Sequence, residues 1–288
     1  MWHRRPLPDD LTRASKVQVV RADLGDPSTL AAALDGVEVV VHFAGLLFAP
    51  RPERFLTTTN TTWFSNLVAA ALDARVRRIV LSSFPQVEGP TSVEAPASGR
   101  LDREPVSVHA RTRLEEEKLL FERTAGTATT PIILRFGMVY GRGILMTDAA
   151  SWLARRRLLC VWREPTLIQL LSTRDFLRAT EAAIVAPGAH GIYHVGDDRP
   201  VMLQDFLDQA CEAWGCRRPW RVPFWAIVTA AALCELTALT FRTRSPLTRD
   251  FVRLGRVPHW GDTRRARLDL IPELEHPTLE TGLATLTL

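Results

Sequence analysis

Cysteine is scarce in this chain, and what there is has no pattern. Cys160, Cys211, Cys216 and Cys234 form no Cys-x-x-Cys pair and none of the close spacings of a secreted framework. A disulfide-stapled scaffold is thereby excluded, and no metal site is expected; the four read as reduced, mostly buried thiols of a cytoplasmic protein. The start, Met1-Trp-His-Arg-Arg-Pro6, carries no apolar segment of the signal-peptide kind. Internal repeats and low-complexity tracts are also missing. Basic residues cluster at Arg75, Arg77, Arg78, at 155–157 and at Arg264, Arg265, Arg267, without aromatics interleaved to stack bases, and the net charge is only +4. Nucleic acid is therefore not an expected partner. Long apolar runs are absent but for one: residues 223–241 are apolar apart from Glu235 and a few threonines. That length approaches the ~20 residues that span a bilayer, but a carboxylate inside the run would be costly there. A buried or subunit-contact helix is expected, with membrane association as the alternative.

At 46% hydrophobic and 24% charged over 288 residues, the chain is neither disordered nor fibrous and has room for one large α/β domain with an appendage. Short β-branched or apolar runs at Val17–Val20, Val37–Val41, Arg78–Ser82 and Ile132–Arg135 read as strands. Helical patterns lie between them at Thr29–Leu34, Asn60–Ala74 and His109–Arg123. This alternation predicts a parallel sheet with crossover helices. Further on, 150–157 and 203–214 read as helices and Gly191–Val195 as a strand followed by the turn Gly196-Asp197-Asp198. The stretch 87–104, rich in Pro, Gly and Ser, reads as a loop.

Seven blocks stand in a recognisable order: Asp23-Leu24-Gly-Asp26, Val40-Val-His-Phe43-Ala44-Gly45, Asn60-Thr-Thr-Trp-Phe-Ser-Asn-Leu67, Leu81-Ser82-Ser83, Leu134-Arg-Phe136-Gly137-Met-Val-Tyr-Gly141, Thr173-Arg-Asp-Phe176 and Tyr193-His-Val-Gly-Asp-Asp198. Together they resemble the extended short-chain dehydrogenase/reductase family, the epimerase/dehydratase superfamily. The resemblance implies an α/β fold, a Rossmann-type parallel sheet flanked by helices, with a small, mostly helical substrate lobe. It divides the chain into a nucleotide-binding portion, 1–141, and a second part, 142–288, holding the last Rossmann elements and the substrate lobe. It also implies a cofactor, NAD or NADP, contacted by Asp23, Leu24, Phe43, Ala44, Gly45, Asn60, Ser82, Arg113, Phe136 and Gly137. On the residues alone, Asn60 is equally a helix cap and Asp23 equally a turn former.

The resemblance is altered at its chemical centre. The family's catalytic helix carries Tyr-x-x-x-Lys; here 109–113 is His-Ala-Arg-Thr-Arg. Residues four apart share a helix face, so His109 and Arg113 point the same way. Arg113 can hold a ribose hydroxyl, and it should depress the His109 pKa, which suits a base more than an acid. The alternative is a partly exposed His109 and an Arg113 paired with Glu117. The family's catalytic Ser or Thr falls on Ser83 when counted from the strand, and on Phe84 when counted back from Gly89; Ser83 is the expected member of the site, with Glu88 replacing the usual Tyr before that glycine.

No Gly-x-x-Gly-x-x-Gly occurs. In the family that loop rests the pyrophosphate on the first helix N-terminus. The expectation is an N-terminally truncated sheet in which residues 1–5 end the second strand and about thirty residues, one βα unit, belong upstream through a misassigned start; a truncated paralogue and a rearranged sheet are the other readings. Arg4 and Arg5 would then meet a 2′-phosphate, favouring NADP. The expected function is NAD(P)-dependent oxidoreduction or epimerisation of a hydroxyl- or carbonyl-bearing small molecule, with His109, Arg113 and Ser83 as the catalytic set and a homodimer as a possible assembly. Two alternatives accompany it: a non-catalytic dinucleotide-binding sensor or scaffold, and a membrane-associated sterol-type enzyme.

Overall fold

The computed structural model describes residues 16–287 apart from 47, 48, 50, 242 and 244. Arg4 and Arg5, and the strand expected at 1–5, lie outside the described residues. The central element is a four-stranded parallel sheet of β1 (Val39–His42), β2 (Arg78–Ser83), β3 (Thr130–Phe136) and β8 (Gly191–Val195), in the order β1-β2-β3-β8. Both faces are covered, which is why these strands read as continuous apolar runs rather than alternating ones. On one face Val80, Ile132, Leu134, Tyr193 and Val195 pack with Ala179 and Ala183 of a crossover helix. On the other, Ile79, Leu81 and Ile133 pack with Leu67, Val68 and Leu120.

The helices between these strands begin with α1 (Leu30–Ala33), which follows a 3₁₀ turn capped by Asp26. Next come α2 (Pro52–Leu56), a π-helical turn Thr57–Thr62, and α3 (Trp63–Asp73). The helix expected from Asn60 thus starts earlier, and Asn60 lies buried inside the π turn instead of capping. After β2 a 3₁₀ turn, Pro85–Glu88, opens the long loop that leads to α4 (Val108–Thr124).

Val17–Val20 forms no strand. These residues are exposed, and no described strand pairs with them; a β-branched run without a neighbour has no ladder to join. Likewise β1 has no ladder partner on its outer edge among the described residues.

The second half returns to the four-stranded sheet once, through β8. β4 (Met138–Tyr140) leads to α5 (Leu145–Arg155), β5 (Cys160–Trp162), β6 (Leu167–Ile168) and β7 (Leu170–Ser172), then α6 (Thr173–Val185), whose Ala179 and Ala183 line the sheet, and β8. β9 (Val201–Met202), α7 (Leu203–Ala213), β10 (Trp220–Val222), α8 (Phe224–Thr240), α9 (Arg249–Gly255), α10 (Arg264–Asp269) and α11 (Leu279–Gly282) follow. A second core around Trp162, Phe206, Trp214, Ile227 and Ala231 joins α7 and α8 to the parallel β5–β10 pair. Cys211 is buried there, but Cys160 is exposed, contrary to the expectation for these thiols. No helix among the described residues is long and apolar enough to cross a membrane.

Gly137 links the two halves. A Cβ built there would lie 2.6 Å from the Gln169 carbonyl oxygen and 3.0 Å from that of Leu170, so the glycine lets β3–β4 pass against β6–β7. The glycine at 137 is required by this backbone approach. Gly137→Ala is expected to cost about 1–3 kcal/mol through overpacking against backbone that cannot move aside, read as a lower urea midpoint at unchanged m. An unchanged midpoint would show that the crossing tolerates a methyl group.

Candidate active site

The site grows from the first turn of α4. Ser107 caps the helix, and a residue from far along the chain completes the cap: Asp250 of α9 accepts from the Ser107 hydroxyl (2.9 Å), the Val108 N–H (2.8 Å) and the His109 N–H (3.1 Å). An anion at a helix N-terminus satisfies free N–H groups and meets the positive end of the dipole. It fixes where His109 begins.

His109 is buried, not partly exposed. Its ring lies face to face with Phe84, centroids 5.3 Å apart and planes 13° from parallel. One polar contact is with the Leu46 backbone, while Nδ1 has no partner. Burial, then the charge of Arg113, brings its pKa down to about 3, so the imidazole is neutral at physiological pH.

Arg113, one turn further along α4, is also buried and pairs at 2.6 Å with Glu116, not with Glu117 as expected from the i+4 spacing. The pair lacks the alignment of a hydrogen bond; both Glu116 oxygens are free of one. Burial raises the Glu116 pKa, and Glu117 and Glu115 add to the rise against the pull of Arg113, to about 7. The other guanidinium nitrogen lies 3.5 Å from the Ala44 carbonyl at the end of β1. His42, held down to about 3 by burial and by Arg113, flanks the same cation.

Ser83 does not face His109. Its hydroxyl is short-bonded to Glu117, so it is committed to the interior, and Phe84 takes the place beside His109 that counting from the strand gave to Ser83. Glu117 belongs to a buried charge cluster centred on Arg135 of β3, which is fully buried. Arg135 donates Nε to Glu117 Oε1 (3.1 Å) and Nη2 to Glu117 Oε2 (2.5 Å), while Nη1 pairs closely with Glu88 and Nη2 also reaches the Arg100 carbonyl (3.0 Å). Glu88 further accepts from the backbone N–H groups of Ser98 (3.2 Å) and Gly99 (2.7 Å) and lies 3.5 Å from His194 Nε2. Burial alone would push Glu88 up; His194, Arg135 and the two N–H groups outweigh it and hold the carboxyl at about 2.

The residues expected to contact a cofactor divide into four groups. Ala44 and Gly45 sit beside Arg113, and a Cβ on Gly45 would lie 2.9 Å from Nη2. The guanidinium thus closes directly on the backbone turn that ends β1. Asn60 braces it, accepting from the Leu46 N–H (3.0 Å) and donating to Thr112 (3.4 Å). Phe43 and Phe136 both pack on Phe176, Phe43 half exposed and Phe136 buried. Ser82, half-buried, is paired in register with Leu134. Asp23 and Leu24 are separate from these: Asp23 closes a turn onto the Gly25 N–H (2.8 Å), and the Leu24 carbonyl is held by Asn66 of α3 (2.9 Å).

Sequence reasoning missed Glu116, Glu117, Glu88 and Arg135 as a connected set, and Asp250 altogether. The run Glu115-Glu116-Glu117 behind Arg113 was a signal for the first two. Asp250 offered none, since its partners lie 141–143 residues away.

A family model described as the NAD dependent epimerase/dehydratase family matches residues 1–186. The 2-alkyl-3-oxoalkanoate reductase of Stenotrophomonas maltophilia is 26% identical over 288 residues, covering 93% of this chain and 84% of that protein. The 3beta-hydroxysteroid-dehydrogenase/decarboxylase isoform 2 of Arabidopsis thaliana is 22% identical over 251 residues, 80% of this chain but only 43% of the longer plant protein. Among solved structures, MoeE5 in complex with UDP-glucuronic acid and NAD superposes with a TM-score of 0.74 at 22% identity, covering 98% of this chain and 87% of that one. UDP-glucuronic acid 4-epimerase from Bacillus cereus in complex with NAD gives 0.74 at 17% identity, covering 96% and 81%. With its parallel sheet, its catalytic-helix position and this match over more than half its length, the chain belongs to the NAD dependent epimerase/dehydratase family of oxidoreductase- and epimerase/dehydratase-type enzymes.

Proposed function

We propose that this chain transfers hydride between a nicotinamide cofactor and a secondary alcohol or ketone carbon of a small molecule, with His109 in the role of proton acceptor and donor. The observation that carries this reading is His109 itself: a buried, neutral imidazole stacked on Phe84, with Nδ1 unpartnered, one helical turn before Arg113. The cofactor, when bound, accepts or supplies the hydride. With its proton on Nε2 toward the Leu46 backbone, His109 has a lone pair on Nδ1. In the oxidative direction Nδ1 takes the hydroxyl proton as the carbon loses hydride; in the reductive direction it returns that proton to the carbonyl oxygen. Phe84 contributes no hydroxyl. It orients the imidazole by stacking and keeps water from the ring. Arg113, beside Ala44–Gly45, would hold a ribose hydroxyl of the bound cofactor, and Glu116 offsets its charge so that the cation does not stand alone in a buried site.

A ketone or alcohol on a largely apolar skeleton is the favoured substrate class. The reductase and dehydrogenase relatives support it through their names, and the apolar Phe84 at the heart of the site agrees with it. The competing reading, a dinucleotide-binding protein without turnover, draws on the same substitutions: His109 and Arg113 replace the family's proton-transfer pair.

His109→Ala should lower kcat for NADPH-dependent reduction of a 2-alkyl-3-oxoalkanoate by about 10²–10⁴ with the cofactor Kd unchanged. Unchanged turnover would remove His109 from the chemistry; binding of NADPH without turnover by the unaltered chain, across ketone and alcohol substrates, would establish the non-catalytic reading. For cofactor choice, Arg4 and Arg5 are assigned to the 2′-phosphate. Replacing both by Ala should weaken NADPH binding by at least about tenfold, in line with loss of charge-assisted hydrogen bonds worth about 1.5–3 kcal/mol, and leave NADH binding as it was. Equal effects on both cofactors, read by calorimetry, would refute it.

A further inference from the structure

The side of the molecule built by α5, β5, β10 and α8 carries a surface that hydride transfer does not use. Three tryptophans are exposed there: Trp152 at 52%, Trp220 at 67% and Trp225 at 69%. The fold brings them to one edge. Trp220 is in register with Cys160, its main-chain N–H donates to Leu159 (3.0 Å) and its indole N–H to the Arg157 carbonyl (3.2 Å). Trp152 lies in the last turns of α5, just before that segment, with the Arg156 guanidinium 3.9 Å above its ring. Trp225 opens α8 three residues after β10. Between them stand Arg155, Arg156, Arg157, Arg217 and Arg218, all exposed, and Leu158 at 59%. Arg218 lies 3.8 Å from Asp208, which Arg221 engages more closely at 2.8 Å.

From Trp225 the surface continues along α8. Its outward face carries Leu233, Leu236 and Leu239 and ends at Phe241, 73% exposed. The 17-residue helix contains one charge, Glu235, and that side chain points inward, where it binds the Arg249 N–H and Nε, each at 2.7 Å. The carboxylate expected to keep this segment from lipid is thus removed from the exposed face. What remains is an uncharged helix face with an aromatic residue near each end, bordered by tryptophan and arginine.

We propose that this surface docks on an anionic phospholipid bilayer, with α8 lying in the interface plane rather than crossing it, the indoles at headgroup depth and the arginines against lipid phosphates. Charge complementarity selects this occupant. A two-fold contact with a second copy would set the same arginines against each other. A single-stranded nucleic acid would use the Arg–Trp edge but not the uncharged leucine face of α8.

The test is co-sedimentation of the full chain with vesicles of phosphatidylcholine containing about 30% phosphatidylglycerol, and with vesicles of phosphatidylcholine alone. Expected are binding to the anionic vesicles with a blue shift of tryptophan emission, loss of binding in high salt, and weakening on the order of 100-fold in Arg155→Gln/Arg156→Gln/Arg157→Gln, at about 1 kcal/mol per arginine. Trp152→Ser/Trp220→Ser/Trp225→Ser, all at exposed positions, should abolish the emission shift while the variant still melts cooperatively. Equal binding to both vesicle types, or none to the anionic ones, would overturn the proposal. So would capture by an oligonucleotide in preference to vesicles, or a dimer in light scattering that the tryptophan variant dissociates.

Discussion

The structure depends on one buried cation. Arg135 sits on the central strand β3 with no solvent contact, and it makes four hydrogen bonds, to Glu117 of α4, Glu88 after β2 and the Arg100 carbonyl in the following loop. Each of these segments carries or borders part of the site. Glu117 is two turns past His109 on the same helix; Glu88 closes the 3₁₀ turn that follows Phe84; Ser83, between them, is drawn in by Glu117. An isolated charge in such a place would be prohibitive, and two carboxylates around one guanidinium become tolerable only because backbone N–H groups of Ser98 and Gly99 also meet Glu88. The cluster therefore fixes helix, strand and loop together, and with them the face-to-face approach of Phe84 and His109.

A second clamp acts at the other end of α4. Asp250 reaches from the C-terminal lobe to the helix's first turn, while Glu235 of α8 binds the first residue of α9. His109 is therefore held by the sheet through Glu117 and by the lobe through Asp250. The same chain of contacts ties the uncharged helix α8 to the start of the catalytic helix: a segment on the outer surface and a neutral imidazole in the interior are separated by two hydrogen-bonded carboxylates. Arg113 and Glu116 complete the electrostatics. Burial, with the guanidinium adding to it, keeps both His42 and His109 neutral, and the charge of Arg113 is met within α4.

Much of the fold was legible in the sequence because parallel strands covered on both faces announce themselves as apolar runs: Val39–His42, Arg78–Ser83 and Thr130–Phe136 fall within a few residues of their expected places. Val17–Val20 misled for the same reason, since β propensity without a described partner makes no strand. That His109 and Arg113 share one face of α4 was readable from spacing, because the i, i+4 geometry of a helix leaves little choice; Ala44–Gly45 was legible only through the family resemblance. Ser83 was not legible, since one residue of strand separates facing the site from facing Glu117. Glu116 against Glu117 was a similar contest between i+3 and i+4, decided by Arg135, which claims Glu117 with bidentate geometry. Asp250 was invisible because a cap from another lobe leaves no local trace. Glu235 was read only as a cost to a membrane span; its partner, Arg249, lies in the next helix and left no local trace.

The claim that Arg135 and Glu117 act as one unit is tested most directly by a double-mutant cycle on Arg135→Met and Glu117→Leu, followed by urea unfolding. If the pair holds the site together, Arg135→Met strands the buried carboxylates of Glu117 and Glu88 and costs about 3–5 kcal/mol, Glu117→Leu costs less because Glu88 still meets the cation, and the double variant loses less than their sum. Additive losses would mean that the two residues stabilise the protein independently, and that something other than this buried cluster sets α4 against the sheet.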